Sequence, residues 1–163
     1  VNFGVESPLV VNAMLASSVI GIMIGAFLSG RKSDNLIRTN NIYTGSTMIT
    51  ICAILVPIVS SLSFIPNSSA LIVVTAVILL FGVGAGMMIV PLNALMQAHS
   101  PEDGLGSMLA GKNWLQNIAM IGLLVLTMLL AKLSFDSQFI LYLNAAIAVV
   151  GFTIVLKKLK TIL

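Results

Sequence analysis

Three groups of residues in this 163-residue chain have types and spacings that could do chemistry. Gly25 to Ser33 reads G-A-F-L-S-G-R-K-S, close to the loop that cradles nucleotide phosphates. Arg31 intrudes before the lysine, however, and the preceding segment has the pattern of an apolar helix where such a loop follows a strand. His99, Glu102 and Asp103 surround a turn at Pro101 and Gly104. One histidine with two adjacent carboxylates is a poor ligand set, and a solvated turn accounts for it. The third group consists of amides inside apolar stretches. Asn113, Gln116 and Asn117 stand at i, i+3 and i+4, on one face of a helix, and Asn93 and Gln97 stand one turn apart in the stretch before. Cys52 is the single cysteine and lies in an apolar run, so neither a disulfide nor a cysteine metal site can form within the chain. No Ser/His/Asp or Cys/His arrangement is within reach. The residues predict no enzyme, no metal and no cofactor.

The elements that must position these amides follow from composition. Hydrophobic residues make up 58% of the chain and charged residues only 8%, with a mean hydropathy of +1.11. A soluble domain carries roughly a quarter charged residues, so a soluble enzyme, a nucleic-acid module and a disordered tail are excluded. Eight Lys/Arg against five Asp/Glu give a net charge of +3. That is too little for a phosphate-tracking stripe, and it predicts positive residues that orient the chain in a membrane, with no nucleic-acid partner.

Five apolar blocks cover about 8–30, 42–65, 70–97, 107–133 and 138–156, each long enough for a spanning helix and nearly free of internal charge. The fold class expected is all-α: a polytopic helical membrane protein with five transmembrane helices. Pro8 suits a first helical turn. Gly21 and Gly25 share one face of the first span, and Gly82, Gly84 and Gly86 crowd the third, where small residues let backbones approach. Pro57 and Pro91 fall inside the second and third spans and predict kinks.

Charge asymmetry predicts the orientation. Arg31, Lys32 and Arg38 lie in the first link and Lys157, Lys158 and Lys160 in the tail, while links 66–69 and 134–137 hold no Lys or Arg. The positive-inside bias then puts the N-terminus outside and the C-terminus in the cytoplasm. Lys112 falls near the inner end of the fourth span and Lys132 at the outer side. Phe3, Phe64, Phe135 and Phe139 fall at the outer boundary and Tyr43 at the inner one. Val1 to Ser7 has no basic start and no apolar core of a signal peptide, and with Val1 in first place a fragment of a longer protein is expected.

Polar residues inside spans have no water to bond. Asn12, Ser17 and Ser18 in the first span and Asn144 in the fifth join the amide rows of the third and fourth. Such groups serve either as interhelical contacts worth about 0.6 kcal/mol each or as the wall of a substrate pathway. Asn93, Asn113 and Asn117 are expected to form an inner gate between antiparallel neighbours, with Pro91 softening the helix beside it. No acidic residue lies in any span, so no proton relay is contained here.

Gly84 to Gln97, G-A-G-M-M-I-V-P-L-N-A-L-M-Q, together with Gly104, Gly106, Ala110, Asn113, Asn117, Ala119 and Met120, resembles the lysophospholipid transporter family of the major facilitator superfamily. Gly25 to Lys32 is similar to the superfamily's loop signature without its acidic residue. The resemblance implies that residues 1–163 are an incomplete C-terminal half, the last five helices of a twelve-helix fold, whose partner is the missing N-terminal half. It also implies movement of lysophospholipids, chiefly lysophosphatidylethanolamine, from the outer to the inner leaflet of the bacterial inner membrane. Re-acylation by an acyltransferase/acyl-carrier-protein synthetase would follow. Two positions depart from the family pattern: Gln116, where Glu occurs, and Lys112, where a neutral amide occurs. Met87, Met88 and Met120 would offer an adaptable wall to an acyl chain. The competing readings are an efflux carrier for a small drug or sugar and a five-span accessory subunit. A membrane acyltransferase would need a His/Asp pair that no span contains.

Overall fold

A computed structural model describes residues 8–31, 39–61, 67–101 and 104–162. These form five helices: α1 (Pro8–Gly30), α2 (Thr39–Ser61), α3 (Asn67–Ala98), α4 (Leu105–Lys132) and α5 (Ser137–Ile162). Each is long and apolar enough to cross a membrane, and a helix satisfies its own backbone, as the hydrocarbon interior requires. The chain is thus all-α and membrane-embedded in character.

The apolar blocks locate the helices, with shifted ends. α1 coincides with its block. α2 and α3 open at Thr39 and Asn67, before their apolar runs, and α5 continues to Ile162. Helical hydrogen bonding outlasts hydrophobicity there, because Lys157, Lys158 and Lys160 are good helix formers that need no burial. α2 ends at Ser61, and 62–66, including Phe64, lie outside the described residues, as do Phe3, Lys32 and Arg38.

α3 is the middle of the assembly. α1 packs on one side of it and α2 on the other, α5 packs on α2, and α4 touches α5 lightly. The segment G-V-G-A-G explains this order. Gly82 and Gly86 are one turn apart and share a face, while Gly84 points the other way. A Cβ added at Gly82 or Gly86 would collide with the carbonyl oxygens of Ser18 or Ile22 on α1. One added at Gly21 or Gly25 would collide with those of Leu79 or Val83 on α3. On the opposite face, a Cβ at Gly45 of α2 would stand 2.6 Å from the Gly84 carbonyl oxygen, and one at Gly84 would stand 2.9 Å from that of Gly45. The buried residues of α1 are Ser17, Gly21, Gly25 and Ser29, spaced four apart throughout. This small-residue stripe lets two backbones touch where lipid gives apolar side chains no reason to associate. Gly21 meets Gly82 and Ser29 meets Met87, so α1 and α3 run in the same direction.

Both interior prolines are buried, Pro57 completely, and each sits within a continuous helix. The α4–α5 connection closes tightly: Ser134 N–H donates to Ala131 (3.1 Å) and Phe135 N–H to Leu130 (3.1 Å). Ser134 takes a φ of 60° to do so, the left-handed residue that ends a helix with its last carbonyls satisfied. Phe135 then stacks on Phe139, ring centroids 5.1 Å apart. α4 itself has no buried residue.

The glycine contacts make a direct prediction. Gly25→Ala should lower stability in detergent by about 1–3 kcal/mol, the usual cost of overpacking. Gly122→Ala, where an added methyl meets nothing within 4 Å, should be neutral or stabilising by up to about 1 kcal/mol. Thermal unfolding of the two variants side by side checks this, and equal midpoints would contradict it.

Candidate functional site

The structure brings Asn93 to Lys112. The Lys112 ammonium donates to Asn93 Oδ1 at 2.7 Å, and both residues are half-buried. Asn113, Gln116 and Asn117 are exposed along α4, and Gln97 and Asn12 are exposed on α3 and α1. The expected row of amides meeting between α3 and α4 is therefore not assembled within this chain: one contact forms, and a lysine makes it. The reason lies in the packing. The two glycine faces of α3 are occupied by α1 and α2, while Gly106, Gly111 and Gly122 of α4 have no neighbour within 4 Å. α4 stands off, and only the long lysine stem spans the gap, which the shorter amides cannot.

Several polar residues prove to be satisfied locally. Ser17 and Ser18 hydroxyls donate to Met14 and Leu15 carbonyls, each at 2.7 Å, so neither hydroxyl is left over to donate across the interface. One polar relay was not anticipated: Asn41 Nδ2 donates to Ser29 Oγ (3.1 Å), which donates to the Met87 carbonyl (3.3 Å) and ties together the same ends of α1, α2 and α3. Its trace in the sequence is Ser29 continuing the small-residue stripe and the polar start Thr39-Asn40-Asn41. The phosphate-loop reading of Gly25 to Ser33 finds no loop at its glycine: α1 is helical through Gly30, and Gly25 is packed on α3. Arg31 is exposed and lies 5.8 Å over the Phe27 ring. His99 Nδ1 is 2.9 Å from the Leu95 carbonyl oxygen. Glu102 and Asp103 lie outside the described residues, among which no three metal-capable side chains gather.

Clefts open between the helices, two of them among the described residues. One, about 230 Å³, is bounded by Ser46, Thr50, Met88 and Phe152 on α2, α3 and α5. The other, about 410 Å³, is bounded by Ile49, Phe81, Leu124, Thr127 and Asn144, on α2, α3, α4 and α5. Their walls are apolar apart from a few hydroxyls and the Asn144 amide. Such clefts suit hydrocarbon, and Met88 supplies an adaptable wall in the smaller one.

Fold and clefts together define a membrane-embedded protein of five helices with apolar interhelical space and one lysine–amide contact at one end. Compared with known proteins, the chain matches no family model, no curated protein and no solved structure.

The exposed amide row predicts a hydrated face on α4, opposite a lipid-facing one. With Cys52 replaced by Ala, single cysteines at Asn113 and Asn117 should react several-fold faster with a small water-soluble thiol reagent in membrane vesicles than a cysteine at Leu115. Leu115 is exposed on the opposite face of α4 at nearly the same depth. Equal rates would mean that the amides face lipid.

Proposed function

We propose that the chain is most of the C-terminal half of a secondary transporter of the major facilitator type, carrying lysophospholipid from the outer to the inner leaflet of a bacterial inner membrane. The observation that carries this reading is α4: the helix with the amide row and Lys112 has no fully buried residue, and Asn113, Gln116 and Asn117 are exposed along it. Polar groups at membrane depth face a pathway or another protein body far more often than they face lipid, and an alternating-access carrier offers both at the interface of its halves. The V-P-L-N-A-L-M-Q segment at Val90 to Gln97 supports the family.

On this reading the apolar clefts take the acyl chain, and the amides of α3 and α4 take part in closure on the inner side. Single amide contacts of about 0.6 kcal/mol can break in every cycle. Arg31, Lys32 and Arg38 hold their link in the cytoplasm. An acyltransferase/acyl-carrier-protein synthetase would consume the delivered lipid.

Uptake of labelled lysophosphatidylethanolamine into spheroplasts tests this. Cells expressing the whole reading frame in which the chain lies should accumulate it, and cells expressing residues 1–163 alone should not. No uptake from the whole reading frame would overturn the substrate, and full uptake from residues 1–163 would overturn the half-transporter reading.

A further inference from the structure

Lys112 is a charged group with no counter-charge among the described residues. The one acidic residue described, Asp136, lies between α4 and α5 at the far end of α4 from Lys112. The ammonium spends one proton on Asn93 Oδ1 at 2.7 Å, and its other two protons meet no acceptor among the described residues. The Asn93 amide N–H groups also meet none there. The pair therefore presents donors only, with one net positive charge. A lone cation at a membrane boundary is stabilised by an anion that shares its hydrogen bonds.

Depth narrows the anion. α4 has 28 residues, about 42 Å at 1.5 Å per residue, so it overhangs a hydrocarbon core of about 30 Å by about 6 Å at each end. Lys112 is seven residues beyond Leu105, about 10 Å in, and its stem can carry the ammonium back to the boundary. α3 has 32 residues and overhangs by about 9 Å. Asn93, five residues before Ala98, lies about 8 Å from that end, at the same boundary. That is the level of lipid phosphates.

The larger cleft lies at the matching depth. Phe81 is twelve residues from Asn93 along α3, and Leu124 is twelve from Lys112 along α4. Both are about 18 Å from the polar pair, close to the roughly 15 Å of one leaflet. A donor-only cation at the membrane boundary and an apolar cleft that runs from the midplane at Phe81 to somewhat beyond it at Leu124 are thus set on the same two helices, about one extended acyl chain apart.

From this juxtaposition we infer that Lys112 and Asn93 hold the phosphodiester of a membrane phospholipid whose acyl chain reaches the cleft at Phe81 and Leu124. The lipid fills the space by which α4 stands off from α3, and its phosphate completes the lysine's hydrogen bonds. The inference rests on the membrane reading and not on transport.

The test is binding to the purified full chain in a phosphate-free sugar detergent, with palmitoyl lysophosphatidylethanolamine and monopalmitoylglycerol as probes of equal chain length. The phosphate-headed lipid should bind about tenfold tighter, as expected for one charged hydrogen-bonded contact. Lys112→Gln should abolish that preference and Lys112→Arg should retain it. Leu124→Trp should weaken both probes, and millimolar inorganic phosphate should displace neither. Equal binding of the two probes, or an undiminished preference in Lys112→Gln, would overturn the site. Displacement by inorganic phosphate would convert it to a free-phosphate site and overturn the lipid assignment. If Lys112→Gln does not fold, Asn93→Leu decides: it leaves the charge but removes its anchor, so the preference should fall, and a full preference counts against the site. No flux is measured, so absent uptake leaves this inference standing and absent binding leaves the transport reading to its own assay.

Discussion

The contact on which the rest of this structure depends is backbone against backbone, where Gly21 and Gly25 of α1 meet Gly82 and Gly86 of α3. In lipid the side chains of Leu, Ile and Val gain nothing by leaving hydrocarbon for protein, so helix association rests on close van der Waals contact and hydrogen bonds. The glycine stripe supplies the first. The Asn41–Ser29–Met87 relay supplies the second at the end of the same seam. Because Gly84 faces oppositely and meets Gly45, α3 is gripped on both sides and becomes the fixed centre.

This arrangement has a consequence for α4. With both small-residue faces of α3 engaged, α4 finds no equivalent seat. It stands off with Trp114 68% exposed and Met128 74% exposed, and its tie to α3 is the reach of Lys112. The space this leaves is apolar in its depth and cationic at its rim. Both the proposed passage of a one-chain phospholipid and the inferred phosphate seat draw on that combination.

Much of the fold is legible in the sequence because hydrocarbon imposes a simple rule. Five runs nearly free of charge had to be five helices, and the glycines of the first and third marked faces where backbones can approach closely. Which helix pairs with which was less legible. Short connections suggest that neighbours in sequence are neighbours in space, which would put α4 on α3 and Asn113 and Asn117 beside Asn93. Glycine placement overrode chain proximity and gave α3 to α1 and α2. The amide rows were visible as a polar face, but a periodic pattern names a face without naming its partner, and so the lysine contact went unforeseen. The fitting of Ser29 between Asn41 and Met87 joins three helices, and no periodicity within any one of them says that these groups meet.

The central claim, that bare backbones make the α1–α3–α2 seam, is open to one direct measurement. Solid-state NMR on protein carrying ¹³C only at glycine, in lipid bilayers, should show cross-peaks between Gly21 and Gly82, Gly25 and Gly86, and Gly45 and Gly84. None of these pairs is close in sequence, so side-chain packing at an ordinary helix separation of about 8–10 Å would leave them weak or silent. Spectra with correlations only between glycines near in sequence, such as Gly82, Gly84 and Gly86, would contradict the account.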